Sequence, residues 1–234
     1  MATQYANGKI VTDGLVLCLD AADKNSYPGS GTTWTDISGN NRNASLINSP
    51  TFSTINGGAI STDATNTYIS VGDVLNYTSE SFTFSLWVLS NTFTTNKQDG
   101  NQYNPVLFSK GGYNSRGYYC HFTGTYVSII TNQSGANQIT SATMTINTNT
   151  WYKLDITRNG SSVLIYINGI NVTTSAGSHI NPVSNNYPLT IGFYGDGYNL
   201  YGSYKVANFI SYNRVLSATE ILQNYNAQKS RFNL

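Results

Sequence analysis

A chain of 234 residues can bury a full core without metals or disulfides, and its formal net charge of +1, with 10% charged residues, leaves no basic stripe for nucleic acid. The 18 tyrosines and 21 glycines, beside many Asn, Thr and Ser, suit short strands joined by tight turns. No window approaches the ~20 apolar residues of a membrane span, and the N-terminal stretch MATQYANGKIVTDG lacks an apolar h-region, so neither membrane insertion nor a signal peptide is expected.

Residues 1–13 are polar and read as an arm ahead of one domain, 14–234. LVLCLD (Leu15–Asp20) is a continuous apolar run, expected as a strand buried on both faces. After a loop, Trp34-Thr35-Asp36-Ile37-Ser38-Gly39-Asn40 places an Asp where it can close an Asx-turn, with Gly and Asn supplying positive φ. Short strands are expected near Ala44–Ile47, Gly58–Thr62 and Tyr68–Val71. In Ser81–Ser90 (SFTFSLWVLS), Phe82, Phe84, Leu86 and Val88 share one face and Trp87 and Leu89 the other. Thr92–Asn104 is a polar loop long enough for a functional insertion. Val106–Ser109, Tyr118–Phe122 and Tyr126–Thr131 read as further strands.

Trp151–Arg158 alternates, with Tyr152, Leu154 and Ile156 on one face, and runs into Asn159-Gly160. Val163–Ile167 follows and runs into Asn168-Gly169. Asn-Gly is a strong hairpin signal because both central positions of a type I′ turn need φ > 0, so an antiparallel meander is expected. Pro188–Tyr194 and Tyr204–Tyr212 complete the strands. One helix is expected after the capping box Ser217-Ala218-Thr219-Glu220, with Ile221, Leu222 and Tyr225 as its apolar face. Cys18 and Cys120, in separate apolar runs, read as buried free thiols, with a single bridge between them as the alternative that spacing does not decide.

The order GLVLCLDA, TTWTDISGNNRNASL, FTFSLWV, WYKLDITRNGSSVLIYINGINV and LTIGFYGDGYNLYGSYKVANFISYNRVLSATEILQNYNA resembles the laminin-G-like group of the concanavalin A-like lectin/glucanase superfamily, from about Gly14 to Ala227. The resemblance implies a jelly roll of two antiparallel sheets. Some members of the group bind Ca²⁺. A segment that often reads Phe-Asp-Gly is Thr62-Asp63-Ala64 here, and the acidic residue that often follows is replaced by Asn66-Thr67, which argues against a calcium site there. The opening and closing blocks also resemble such domains in tailed-phage particle proteins, notably of phages of marine bacteria. That implies a place on the virion surface after synthesis in the host cytoplasm.

Glucanases on this fold use closely spaced carboxylates, ~5 Å apart in retaining enzymes. This chain has only Glu80 and Glu220 as glutamates and no Glu-x-Asp-x-Glu-like run, so no catalytic residues are assigned. His121 and His179 stand near no nucleophile elbow, and the Cys and His have no zinc-like spacing. Calcium wants six to eight oxygen ligands, and Asp20, Asp36 and Asn40 are the candidates that could converge at one edge. The plainer reading is that Asp36 and Asn40 serve their own turn. Sugar sites need aromatic faces and amides. Tyr113 and Tyr118 in one Gly-rich segment, and Tyr194, Tyr198 and Tyr201 in another, offer them as ligand or partner contacts. Each ring fits packing over a sandwich edge equally well.

The expectation is therefore an all-β antiparallel sandwich (jelly roll, concanavalin A-like) with one short C-terminal helix, binding rather than catalysing. The leading role is a head decoration protein outside a phage particle, touching capsid protein and sister copies as a homo-oligomer and holding host-surface glycans weakly. The alternative is a glycan-binding receptor-recognition or adhesin module at a tail fibre or tip. A glycoside hydrolase ranks below both.

Overall fold

The computed structural model describes residues 4–5, 8–93, 104–111, 117–133, 136–195 and 199–234. In chain order the strands are β1 (Gln4–Tyr5), β2 (Gly8–Lys9), β3 (Leu15–Asp20), β4 (Thr33–Trp34), β5 (Ala44–Ile47), β6 (Thr51–Ser53), β7 (Ala59–Ser61), β8 (Tyr68–Gly72), β9 (Phe82–Ser90) and β10 (Val106–Lys110). They continue with β11 (Tyr118–Phe122), β12 (Tyr126–Gln133), β13 (Ala136–Thr143), β14 (Trp151–Asn159), β15 (Ser162–Ile167), β16 (Ile170–Asn171), β17 (Leu189–Ile191), β18 (Phe193–Tyr194), β19 (Leu200–Tyr201) and β20 (Tyr204–Tyr212). One α-helix, α1 (Ala218–Gln228), runs into a 3₁₀ turn, Lys229–Phe232.

The strands form two antiparallel eight-stranded sheets and two small hairpins, β1–β2 and β18–β19. The first sheet runs β13-β12-β11-β10-β17-β8-β5-β4. The second runs β16-β15-β14-β9-β20-β7-β6, with β3 also pairing β20. One edge of β20 meets β7 along Lys205–Val206 and β3 along Asn208–Tyr212. The central core lies between the sheets, where Phe82, Phe84, Leu86 and Val88 of β9 meet Phe108, Cys120, Phe122 and Ile129 from the first sheet. Side chains of a strand alternate across the sheet, so this set is the inward half of the apolar pattern. Both cysteines are free and buried, and burial pushes their thiols well above the ordinary range.

The outward half of β9 is buried too, because the C-terminal segment covers the second sheet. Trp87 stacks on Phe232 at 4.0 Å and donates its indole N–H to Gln228 Oε1 at 2.9 Å. Ser217 and Glu220 form the expected capping box. The helix face differs from expectation: Ile221, Asn224, Ala227 and Gln228 are buried, whereas Leu222 is exposed. Asn224 faces the sheet with both ends of its amide paired, and Gln228 faces it with its Oε1 paired to the Trp87 indole. Asn224 Oδ1 accepts from Val11 N at 2.8 Å and its amide donates to Tyr212 Oη at 3.1 Å. Ile10 and Val11 are themselves buried in this layer, so the segment read as an arm ends inside the packed body.

Two turns illustrate how finely the sequence specifies geometry. Asn168 and Gly169 both have positive φ (53° and 83°) and join Ile167 to Ile170, as a type I′ turn requires. The preceding loop is shifted by one residue: Asn159 pairs with Ser162, so Gly160-Ser161 is the loop and Gly160 alone takes positive φ. The expected strand through Pro188–Tyr194 is broken at Gly192, whose φ is 75° and where a Cβ would stand 2.8 Å from Thr62 Oγ1. One strand of the first sheet, β13, carries a largely polar sequence with no apolar run to announce it.

Candidate functional site: a groove on the outer face of the first sheet

Beyond the core, the outward residues of β10–β13 floor a groove of about 750 Å³. Its layout follows from strand register. Val106 pairs with His121, His121 with Ser128 and Ser128 with Ser141, giving one transverse row. The next row is Tyr119, Ile130 and Ile139, and on the other side Tyr126 pairs with Thr143. The floor thus has an apolar row beside a row of hydroxyls and an imidazole. Thr125 and Asn104 complete the polar side.

The hairpin β18–β19 walls the groove. Phe193 pairs with Tyr201 and Tyr194 with Leu200, so the two pairs point to opposite faces. Tyr194 and Leu200 turn into the groove, where Tyr194 meets Tyr119 edge to face at 5.3 Å. Phe193 and Tyr201 turn away and gather with Tyr68, Phe193 stacking on Tyr68 at 4.5 Å. The base of the hairpin is fixed: Phe193 O accepts from Ser109 Oγ (3.0 Å) and Thr190 Oγ1 (2.8 Å), and Gly192 N donates to Leu107 O (2.8 Å).

None of the described groove residues carries a formal charge at neutral pH. His121 Nδ1 lies 3.3 Å from Pro105 O, which a neutral ring satisfies by donating from Nδ1, leaving Nε2 as an acceptor. Burial holds this imidazole below its ordinary pKa. The two glutamates serve structure elsewhere. Glu80 accepts from Thr78 N and Oγ1, and Glu220 from Arg214 and the Ser217 cap. The Arg214 guanidinium holds the Glu220 carboxyl at about 2.

The sequence-derived candidates separate clearly. Tyr194 lines the groove, and Tyr201 belongs to the half-buried ring cluster on the hairpin's other face. Tyr118 is a correction: it is 1% exposed and sits in the interior with Tyr77, Phe82 and Phe84, its hydroxyl donating to Leu75 O at 3.0 Å. Alternation along YYCHF puts Tyr118 inside and Tyr119 outside, so the ring that lines the groove is its neighbour. Tyr113 and Tyr198 lie outside the described residues, as does most of the polar loop after Thr92.

The three calcium candidates do not share a site. Asp36 Oδ1 accepts from Cys18 N and Ser38 N, and its Oδ2 from Ser38 Oγ and Arg42 N, so protein donors take the lone pairs a cation would use. Asp20 faces Arg231 at 2.9 Å in a buried ion pair. Asn40 is exposed, and its backbone N–H and side-chain amide both donate to Ser38 Oγ. Among the described residues, no group of three or more His, Cys, Asp or Glu is placed to hold a metal ion.

Sequence reasoning did not single out Tyr126, Ser128, Ile139 and Ser141, which line the groove, and assigned His121 no role. The available signal was the outward set of Tyr118–Phe122 and Tyr126–Thr131, which alternates aromatic, imidazole and hydroxyl against an inward apolar set.

Residues 63–222 match a laminin-G-type family model described as the Concanavalin A-like lectin/glucanases superfamily. The fold is similar to the binding domain of Paraclostridial Mosquitocidal Protein 1, with a TM-score of 0.70, 18% identity, and coverage of 92% of this chain and 52% of that one. It is similar to the binding domain of botulinum neurotoxin serotype D (TM-score 0.68, 17% identity, 93% and 53% coverage). A further neighbour is the binding domain of botulinum neurotoxin DC in complex with SialylT (TM-score 0.67, 16% identity, 93% and 52%). At these identities the likeness is one of fold, and the chain spans about half the length of each neighbour. No curated protein sequence matches the chain.

Proposed function

We propose that this chain, which belongs to the Concanavalin A-like lectin/glucanases superfamily, is a non-catalytic glycan-recognition module whose sugar site is the groove on its first sheet. The observation that carries the reading is the groove floor: the aromatic-apolar row of Tyr119, Ile130 and Ile139 beside the hydrogen-bonding row of His121, Ser128 and Ser141. A pyranose has the same division, an apolar C–H face and a rim of hydroxyls. The cavity also falls in the range of small-molecule sites, ~300–1,000 Å³. The neighbours in fold are toxin binding domains, one of them in complex with SialylT, which supports recognition over reinforcement of a shell. Among the described groove residues there is no Asp or Glu to form the carboxylate pair of a glycosidase, and both glutamates are engaged elsewhere.

Display of the module on a phage head, with capsid protein and sister copies as partners, is the finer setting expected from the sequence. Receptor recognition at a tail tip or as an adhesin agrees better with the toxin-domain neighbours. The test is a glycan microarray probed with the full chain and with Tyr126→Ala and Ser128→Leu, each checked for an unchanged circular dichroism spectrum. Retention by the native chain that both substitutions abolish supports the groove. Equal retention by all three proteins removes the groove as the site, and no retention by the native chain removes the reading.

A further inference from the structure

We infer that the groove selects uncharged oligosaccharides over those bearing carboxylate, sulfate or phosphate groups, an inference that rests on the sugar-binding reading above and narrows its ligand. The described lining offers Tyr, Ile, Leu and Val beside Ser, Thr, Asn and one His, with no Lys, Arg, Asp or Glu among these residues. An anion entering a site bounded by Tyr119, Tyr194, Ile130 and Leu200 gives up hydration at a cost of several kcal/mol. Only a cation or a set of converging N–H donors offsets that loss. Hydroxyls of Ser128, Ser141 and Thr143 exchange sugar–water for sugar–protein hydrogen bonds, which suits a neutral polyol and gives an anion no net gain.

Three described cations on these sheets are committed elsewhere, and a fourth, Lys205 on β20, belongs to the second sheet and does not line the groove. Lys110, on β10, is buried against Asp73 at 2.7 Å. Lys153 is buried against Asp155 at 2.9 Å. Arg158 donates to Thr78 O at 2.6 Å and Asn181 Oδ1 at 2.8 Å. His121 adds no charge at neutral pH, because burial favours its neutral form. The two rows of the floor are adjacent along the strands, so one sugar ring laid across them places its C–H face on Ile139, the exposed member of the apolar row, and its hydroxyls at Ser141 and Ser128. This specificity departs from that of the neighbour in complex with SialylT, whose ligand's sialyl group is acidic.

The experiment uses the full chain on a microarray carrying neutral, sialylated, uronate-containing and sulfated glycans, read at ~0.02 M and ~0.5 M salt, where screening lengths differ several-fold. It is repeated with Ser128→Leu, which blocks the floor, and with Ile139→Lys, which sets a cation at a position 50% exposed on the groove rim. The expected result is retention of neutral glycans only, changed less than about twofold by salt and lost in Ser128→Leu, with Ile139→Lys gaining salt-sensitive retention of acidic glycans. Preferential, salt-sensitive retention of acidic glycans by the native chain overturns the inference while leaving sugar binding standing. Retention that survives Ser128→Leu overturns it as well, by placing the site elsewhere. A chain that retains no glycan overturns the sugar-binding reading itself.

Discussion

The rings of Tyr119 and Tyr194 meet edge to face, with centroids 5.3 Å apart and planes at 62°. One comes from the floor of a sheet and the other from a hairpin laid across it, so this contact fixes where the groove ends. Edge-to-face pairing places the positive rim of one ring on the negative face of the other, and the pair adds about 1 kcal/mol beyond the burial of the two rings. The same contact makes Tyr194 a poor site for dissecting binding, because its loss disturbs fold and ligand together.

Tyr126 and Tyr194 are therefore expected to respond differently to truncation. Tyr194→Ala removes a ring from a buried cluster with Val106, Ile130 and Leu200 and should cost about 3 kcal/mol of unfolding free energy in urea. Tyr126 is half-buried at the groove, and Tyr126→Ala should cost under about 1 kcal/mol of stability. It should nonetheless weaken binding of the best array glycan by about tenfold, near 1.4 kcal/mol, in a calorimetric titration. Native affinity in Tyr126→Ala would place the sugar elsewhere.

Periodicity made most of the fold legible. β11 and β20 occupy the expected spans Tyr118–Phe122 and Tyr204–Tyr212, and β9 puts Phe82, Phe84, Leu86 and Val88 inward. The site was far less legible, for a physical reason. Its floor is the outward face of strands whose inward faces carry the apolar signal, and β13, which closes the groove, reads ANQITSAT with neither strong apolar alternation nor a tight-turn signal. The reading of the loops favoured Tyr118 because it stands in a Gly-rich stretch, yet strand parity decides which tyrosine faces out. The helix face agrees with expectation at Ile221 and Tyr225 and departs from it at Leu222, which is exposed, and at two buried amides. Asn224 and Gln228 look like solvent residues until the backbone of Val11 and the indole of Trp87 are brought to them.

Arg231 clamps the C-terminal turn to the body. It donates to Asp20 Oδ1 at 2.9 Å, Asn56 O at 2.5 Å and Gly58 O at 2.7 Å, and the neighbouring Phe232 stacks on Trp87. Removing the guanidinium deprives the buried Asp20 carboxylate of its cation, and such losses cost roughly 3–5 kcal/mol. Arg231→Ala should lower the urea midpoint accordingly and raise Trp87 exposure to a fluorescence quencher. A midpoint within experimental error of the native chain would show that the ion pair contributes nothing net.

Ser217 offers a smaller and cleaner test. Its hydroxyl accepts from Glu220 N at 3.3 Å while Glu220 Oε2 accepts from Ser217 N at 2.8 Å, so two end amides of α1 are satisfied reciprocally. Ser217→Ala should cost about 1 kcal/mol, with the groove's ligand affinity unchanged. Loss of affinity in this variant would mean that the helix and the opposite sheet are coupled.

His179 supplies the pH dependence. The ring is buried against side chains of the paired strands β12 and β13, with Nδ1 2.8 Å from Thr131 Oγ1 and Nε2 2.8 Å from Thr140 Oγ1. Burial, aided by the Arg158 guanidinium, lowers its pKa from 6.5 to about 4. The unfolded chain therefore binds the proton more readily between those values, and by linkage stability falls as pH falls through that window. The loss should approach the order of 2–3 kcal/mol near pH 4 and level off below it. The carboxyls of Asp63, Asp73, Glu80 and Glu220 are held below their ordinary values, so their losses come at more acid pH. His121 adds slope of the same sign, so the measurement compares the native chain with His179→Gln by urea unfolding at pH 7.5 and pH 4.5. The variant should be less stable at pH 7.5 and lose most of the difference between the two pH values. An unchanged difference in His179→Gln would assign the acid sensitivity to other groups and leave His179 as a neutral spacer between two threonines.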